Sequence, residues 1–382
     1  MLTRSRRGWL ASLAGPANRP TAAPAVVVVF LRGGADGLSL VPPLGDPDYR
    51  RRRPTLGIDP ADAIDLDGFF ALHPALGPLT ESYRAGELAV VHAVGSDDRT
   101  RSHFEAQDRM EHASPRLGSG WLARLARAGG SSGALSAVAL GTERPEALRG
   151  APAVSVLERA DEHRIGAEDD PAWLDALAAL HRGPGPVRAA GRDALSTLAR
   201  LRDLPAARTA EGYPDGDFGR RLRELARLLR AGLVRVACVD LDGWDTHFVQ
   251  ADALAERARA LADGLRAFRA DLRRDPTAWR RVTVLVVTEF GRRAYENGSA
   301  GTDHGRGSVM LALGPRVNGG RVYARWPGLS DGALEPPGDL AVTTDHRQVL
   351  AELVETCFPD VDREAVLPGA PAGRLGVFAG RA

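Results

Sequence analysis

Val26-Val27-Val28-Val29-Phe30-Leu31-Arg32-Gly33-Gly34-Ala35-Asp36 is the stretch that decides the fold. Its apolar part, mostly β-branched, runs from Val26 to Leu31 without a polar break, between Pro24 and the Gly33-Gly34 pair. Alternation of apolar and polar residues would mark a strand with one wet face. A continuous run marks a strand buried on both faces, as in a parallel sheet covered by helices. Similar runs recur at Leu88–Val94, Ser136–Leu140, Val234–Asp240, Val282–Thr288 and Ser308–Leu313. Helical segments are predicted between them, over Pro74–Arg84, Trp173–His181, Asp217–Ala231, Val249–Arg274 and His346–Cys357. In the third of these, Phe218, Leu222, Leu225, Leu228 and Leu229 share one helix face. Strands alternating with helices predict an α/β chain with a doubly wound, mostly parallel sheet. The stretch 116–204 is richer in Ala, Gly, Ser, Pro and Arg and poorer in strand signals. It reads as a helical or irregular cap inserted in a single domain over 25–382, or as a set of ordinary crossover connections.

The charges nearly cancel: 50 basic against 49 acidic side chains, net +1. That balance, with no charged tail, argues against a nucleic-acid partner. Every basic side chain is arginine, since the sequence contains no lysine. Schiff-base, P-loop and Ser-Lys chemistries are therefore excluded. Two cysteines, Cys238 and Cys357, make neither a disulfide framework nor a thiolate zinc site. No run reaches the ~18–20 apolar residues of a membrane span. Residues 1–24 read as a degenerate twin-arginine signal around Ser5-Arg6-Arg7-Gly8-Trp9-Leu10, or as a basic disordered N-terminus. The first reading places the chain in the periplasm or outside the cell, the second in the cytoplasm.

Chemistry in parallel sheets collects at the carboxyl ends of the strands. The first run delivers Asp36 there, the Val234–Asp240 run delivers Asp242, Asp245 and His247, and the Val282–Thr288 run delivers Glu289. Asp303 and His304 immediately precede the last run. A lone aspartate at such a place also serves as a helix cap, and a lone histidine as a structural hydrogen-bonder. Several strand ends that all supply carboxylate or imidazole, without thiolate, suit a divalent ion: Zn, Mn, Mg or Ca. Arg101-Ser102-His103 opens a predicted helix. Ser102 is either an N-cap with Glu105 as capping-box partner or a nucleophile in the positive field of the helix start. Arg101 and His103 join it as the candidate catalytic group, and Arg32 and Arg292 are candidate anion-binding guanidiniums.

Phe30–Leu38, Arg101–Gln107, Gly243–His247, Thr288–Arg292 and Gly301–Gly305, in this order, resemble the domain of unknown function 1501 family. The resemblance spans Val26 to about Pro359. It implies an alkaline-phosphatase- and sulfatase-like sheet with a metal site at its carboxyl edge. It also implies Asp36, Asp245, His247 and His304 as ligands, Asp242 as a substitute and Asp303 as a ligand or as the group that orients His304. Glu289 would serve a second ion, which Phe290 weakens where such enzymes carry histidine. Ser102 matches the nucleophile by position, and no cysteine stands there to make a formylglycine. The activity so implied is hydrolysis of a phosphate or sulfate ester, small or polymeric. A protein partner of the domain of unknown function 1800 family is implied as well. The alternative is a fold-retaining binding or assembly protein without turnover.

Overall fold

The Val26–Leu31 run forms the inner strand β1, Ala25–Leu31, of a nine-stranded sheet in the computed structural model. The structure describes residues 23–379 apart from 116–117, 131–132, 134, 159–170, 203 and 205–211. The export-signal reading over 1–24 thus lies outside the described residues except for Ala23 and Pro24. The other main strands are β2 Leu88–Gly95, β3 Ala137–Leu140, β4 Ser155–Leu157, β5 Val236–Leu241, β6 Val282–Thr288, β7 Ser308–Leu313, β8 Arg321–Tyr323 and β9 Thr344–Asp345. They lie in the order β8-β2-β7-β6-β1-β5-β3-β4, with β9 also beside β2. β1 runs parallel to both β5 and β6, and β7 alone runs antiparallel to its neighbours β2 and β6. The sheet is therefore mostly parallel, as the buried runs require.

The alternation along β1 shows why both faces are apolar. Val27, Val29 and Leu31 enter one core, and Val26, Val28 and Phe30 enter the other. The first face is covered by α5, Asp217–Arg230, and α6, Gln250–Arg273. The second is covered by α2, Trp121–Ala128, and α7, His346–Cys357. The Pro74–Arg84 helix divides into a 3₁₀ segment, Pro74–Leu79, and a short α-helix, Thr80–Arg84. Pro78 accounts for the break, because it has no N–H to donate to an α-helical ladder.

Part of the 116–204 stretch belongs to the body of the domain rather than to a cap. β3 pairs with β5 and β4 with β3, extending the main sheet, while α2 buries Trp121, Leu122 and Leu125 against it. Two helices, α3 Pro171–Leu180 and α4 Pro186–Arg202, remain outside the sheet. Their strand-poor composition was legible, but the short β3 and β4 gain their stability from neighbouring strands rather than from their own residues.

Asp36, just beyond β1, meets the buried guanidinium of Arg53. Arg53 Nη1 donates to Asp36 Oδ2 at 2.6 Å and Nη2 to Oδ1 at 3.1 Å. Ser39 Oγ and Gln250 Nε2 also donate to Oδ2, at 2.9 and 2.6 Å. Burial alone would push the Asp36 carboxyl up, but Arg53 and these donors hold it below the ordinary carboxylate range. Removing one partner of a buried pair leaves the other charged and unpaired. Asp36→Ala is therefore expected to destabilise the fold by about 3–5 kcal/mol, read as a lowered midpoint of urea unfolding. A wild-type midpoint would contradict the structural role of the pair.

Candidate metal centre

Five segments converge at the carboxyl edge of the sheet: the loops after β1, β5 and β6, the loop before β7, and the start of α1, His103–His112. The loop before β7 belongs here because that strand is antiparallel, so its entry lies at the exit of its neighbours. Arg292, 1% exposed, ties the loops together. Its Nε donates to Gly34 O at 2.7 Å and its Nη1 to Thr302 O at 3.0 Å. Its Nη2 serves Gly33 O, Trp244 O at 3.0 Å and Asp245 Oδ1 at 2.7 Å. Gly33, at φ +122, allows the β1 loop to pass this closely. A Cβ there would lie 2.4 Å from Asp245 N.

Asp245 Oδ1 lies 3.0 Å from His247 Nε2 and 3.1 Å from His304 Nε2, and the two Nε2 atoms are 2.9 Å apart. His103 Nε2 faces the other oxygen, Oδ2, at 3.6 Å. The opposite nitrogen of each ring meets an acceptor. His304 Nδ1 lies 3.0 Å from Arg101 O, His103 Nδ1 lies 2.8 Å from Glu289 Oε1, and His247 Nδ1 lies 3.7 Å from Asp303 Oδ1. A carbonyl or carboxylate oxygen only accepts, so in His304 and His103 the Nδ1 is the site of the ring proton. In the neutral rings the Nε2 lone pairs are then left facing one another and the Asp245 carboxylate. Lone pairs turned toward a shared point repel unless a cation lies between them. Separations of about 3 Å are those of neighbouring ligands around an ion bound at roughly 2.1 Å. An acceptor behind each ligating imidazole is the usual support of such a site. His103, Asp245, His247 and His304 thus fit a divalent ion, and His103 Nε2 is buried without a hydrogen-bond partner.

Burial pushes the Asp245 carboxyl up, but Arg292, His304 and His247 outweigh it and bring it down to about 2. Glu289 is also held below its ordinary value despite burial, chiefly by its bond to His103. That bond raises His103 above the usual imidazole value, while burial lowers His304. The Asp245 side chain stays 47% exposed, so the cluster opens to solvent on one side.

Of the residues expected to act, the structure brings Asp245, His247 and His304 together. Asp36 is not among them, because Arg53, Ser39 and Gln250 occupy its oxygens. Asp242 is exposed and lines a separate polar cleft of about 180 Å³ with Asp240 and Arg221. Glu289 Oε1 accepts from Gly33 N and Gln107 Nε2 and lies 2.8 Å from His103 Nδ1, so it stands behind that ring. Asp303 stands behind His247, not His304. The three arginines are also reassigned. Arg32 pairs with Glu111 and Asp240, Arg101 with Asp339, and Arg292 is the loop tie described above. Arg101 contributes its carbonyl, as the acceptor for His304. Ser102 is the N-cap of α1, yet its hydroxyl makes no cap hydrogen bond, so the Glu105 capping box does not form. His103, expected in the catalytic group, has a ring nitrogen within ligand distance of Asp245 and His304. Its sequence signal is its place as first residue of a helix, directly after the cap Ser102.

A second group, Asp108, His112 and Glu146, also gathers within ligand distance. Here His112 Nδ1 accepts from Gly118 N at 3.3 Å, so Nε2 carries the proton toward Glu146 Oε2 at 3.2 Å. That histidine is satisfied as a neutral hydrogen-bonding residue.

Residues 71–366 match the family described as "Protein of unknown function (DUF1501)". No curated protein matches the chain. Among solved structures, the phosphonate monoester hydrolase of Agrobacterium radiobacter is similar at 11% identity and a TM-score of 0.43, covering 92% of this chain and 78% of that one. The side-chain geometry leads to a direct expectation. His103→Ala, His247→Ala and His304→Ala should each lower the metal content of the purified protein, while Asp36→Asn should retain it. Glu289→Gln should weaken metal affinity about 10–100-fold by loosening His103. Elemental analysis checks all five variants, and full metal in the histidine variants would contradict the ligand set.

Proposed function

This chain belongs to the DUF1501 family, and on that premise we propose that it is a metal-dependent hydrolase of a phosphate or sulfate ester. The observation that carries the reading is the convergence of three imidazole Nε2 atoms on one solvent-open carboxylate, with the rings of His103 and His304 held from behind by an acceptor. His103, Asp245, His247 and His304 would hold the ion. A divalent ion in that place supplies Lewis acidity to an ester oxygen and acidifies a neighbouring hydroxyl. Zn²⁺ and Mn²⁺ suit the mixed nitrogen and oxygen donor set.

The chain's own residues divide the remaining work. Ser102 lies between Arg101, whose carbonyl orients His304, and the ligand His103. Its hydroxyl is not spent on capping α1. In this reading Ser102 Oγ attacks the phosphorus or sulfur and displaces the alcohol, and water then hydrolyses the seryl ester. The amino end of α1 adds a positive field for the ester's anionic oxygens. Arg292 holds the loops in register and fixes Asp245.

A second reading is a binding or assembly protein without turnover, acting with a partner of the domain of unknown function 1800 family. It is favoured by Asp36 and Glu289, whose carboxylates are engaged in bonds inside the protein. Aryl phosphate, phosphodiester and sulfate esters with added Mn²⁺ or Zn²⁺ separate the two. Hydrolysis is expected with the metal-loaded protein, lost with a chelator and restored by metal. Ser102→Ala should lower kcat by at least about 100-fold. Bound metal with no turnover on any ester would favour the binding reading.

A further inference from the structure

Arg101 stands in a backbone conformation that needs a cause. Its φ is +58, in the left-handed region that residues with a Cβ rarely enter. Such a conformation persists only where the surroundings hold it. Here both ends of the residue are held. Its carbonyl lies 3.0 Å from His304 Nδ1, the contact that turns His304 Nε2 toward the cluster. Its guanidinium reaches Asp339, with Nε donating to Oδ2 at 2.9 Å and Nη2 to the same oxygen at 2.6 Å. Nη2 also donates to Pro336 O at 3.1 Å.

Asp339 is fully buried. Among the described residues only Arg101 donates to its carboxylate, and Oδ1 has no hydrogen-bond partner. Burial raises this carboxyl above its ordinary value, and Arg101 offsets part of the rise. A buried carboxylate is costly without a partner, so this one draws the guanidinium inward. The backbone of Asp339 is itself fixed. Its N–H donates to Glu335 O at 2.8 Å, and its carbonyl accepts from Glu335 N at 3.0 Å. On either side, Gly338 O accepts from Ala294 N and Leu340 O from Gly307 N, both at 2.9 Å. Ala294 and Gly307 belong to the connection between β6 and β7, which also carries His304. The anchor for Arg101 is therefore set against the same connection as the ring that Arg101 orients.

We propose that Asp339 is a positioning residue of the metal centre: by holding the Arg101 guanidinium it keeps the Arg101 carbonyl on His304 Nδ1, and so keeps His304 Nε2 turned toward Asp245 and His247. This rests on the metal-centre reading and adds to it a residue outside the sequence motifs. An acceptor behind a ligating imidazole fixes both the ring's orientation and the nitrogen that bears the proton. With Arg101 released, the His304 ring turns more freely and its proton moves in part to Nε2, where the ring cannot ligate.

The test compares full-length wild type, Asp339→Asn, Arg101→Gly and the double variant. Calorimetric titration gives the Mn²⁺ affinity of each. Imidazole nitrogen NMR of the metal-free proteins shows which nitrogen of His304 bears the proton, with His304→Ala for assignment. Asp339→Asn is expected to lower Mn²⁺ affinity about tenfold and to move part of the His304 proton from Nδ1 to Nε2. In the Arg101→Gly background the same substitution should add no further loss, because the residue it acts through is gone. If Asp339→Asn does not fold, Arg101→Gly alone should show the affinity loss and the proton shift, and an unchanged His304 would overturn the proposal. Wild-type affinity in Asp339→Asn, or an equal loss in both backgrounds, would overturn the positioning role and leave the metal centre standing. A wild type that binds no Mn²⁺ would overturn the centre and the role with it.

Discussion

One buried guanidinium sets the geometry on which the centre depends. Arg292 gives its donors to carbonyls of the β1 loop, the β5 loop and the segment before β7, and a further bond to the Asp245 carboxylate. A planar fork with five N–H groups satisfies partners in several directions at once, whereas a lysine ammonium offers only three donors from one point. Its charge is balanced by Asp245, so the same bond that stabilises the loops also aims a carboxylate at the histidines. Loss of this arginine would leave several buried carbonyls unpaired and Asp245 free to rotate.

The second constraint is the direction of the ring protons. Glu289 and the Arg101 carbonyl accept at Nδ1 of His103 and His304 and so turn the Nε2 of each toward the cluster, and Asp303 faces His247 from behind. Glu289 is itself fixed by Gly33 N and Gln107, and Asp303 by Asn297 and Arg293. The centre is thus built in two layers, and the outer layer comes from the same loops that Arg292 joins. The fold's contribution is the antiparallel β7, which brings His304 to the edge where the parallel strands end.

The sheet was legible in the sequence because continuous β-branched runs have few other uses, and β6 and β7 occupy Val282–Thr288 and Ser308–Leu313 as read. Asp245, His247 and His304 were legible because a carboxylate and an imidazole close in sequence leave a strand end together. The charge partners were not. Asp36 looks like a ligand until Arg53, the residue that ends the short helix Tyr49–Arg52, is seen to reach both its oxygens. Arg32, Arg101 and Arg292 look like free anion binders for the same reason, since a long side chain can reach several partners and sequence does not choose among them. His103 was read with Ser102 as part of the catalytic group and not beside Asp245 and His304, because sequence does not show which strand ends a helix start will face. Among the arginines, the buried Arg53, Arg281 and Arg292 serve as internal framework.

The central claim is that an ion sits between the Nε2 atoms of His103, His247 and His304 and the carboxylate of Asp245. Anomalous diffraction from crystals of the full-length protein loaded with Mn²⁺ or Zn²⁺ tests it most directly. The account predicts a peak within bonding distance of those four side chains, with Asp36 and Glu289 outside the coordination shell. A peak coordinated by Asp36, or none at the cluster in metal-loaded crystals, would contradict it.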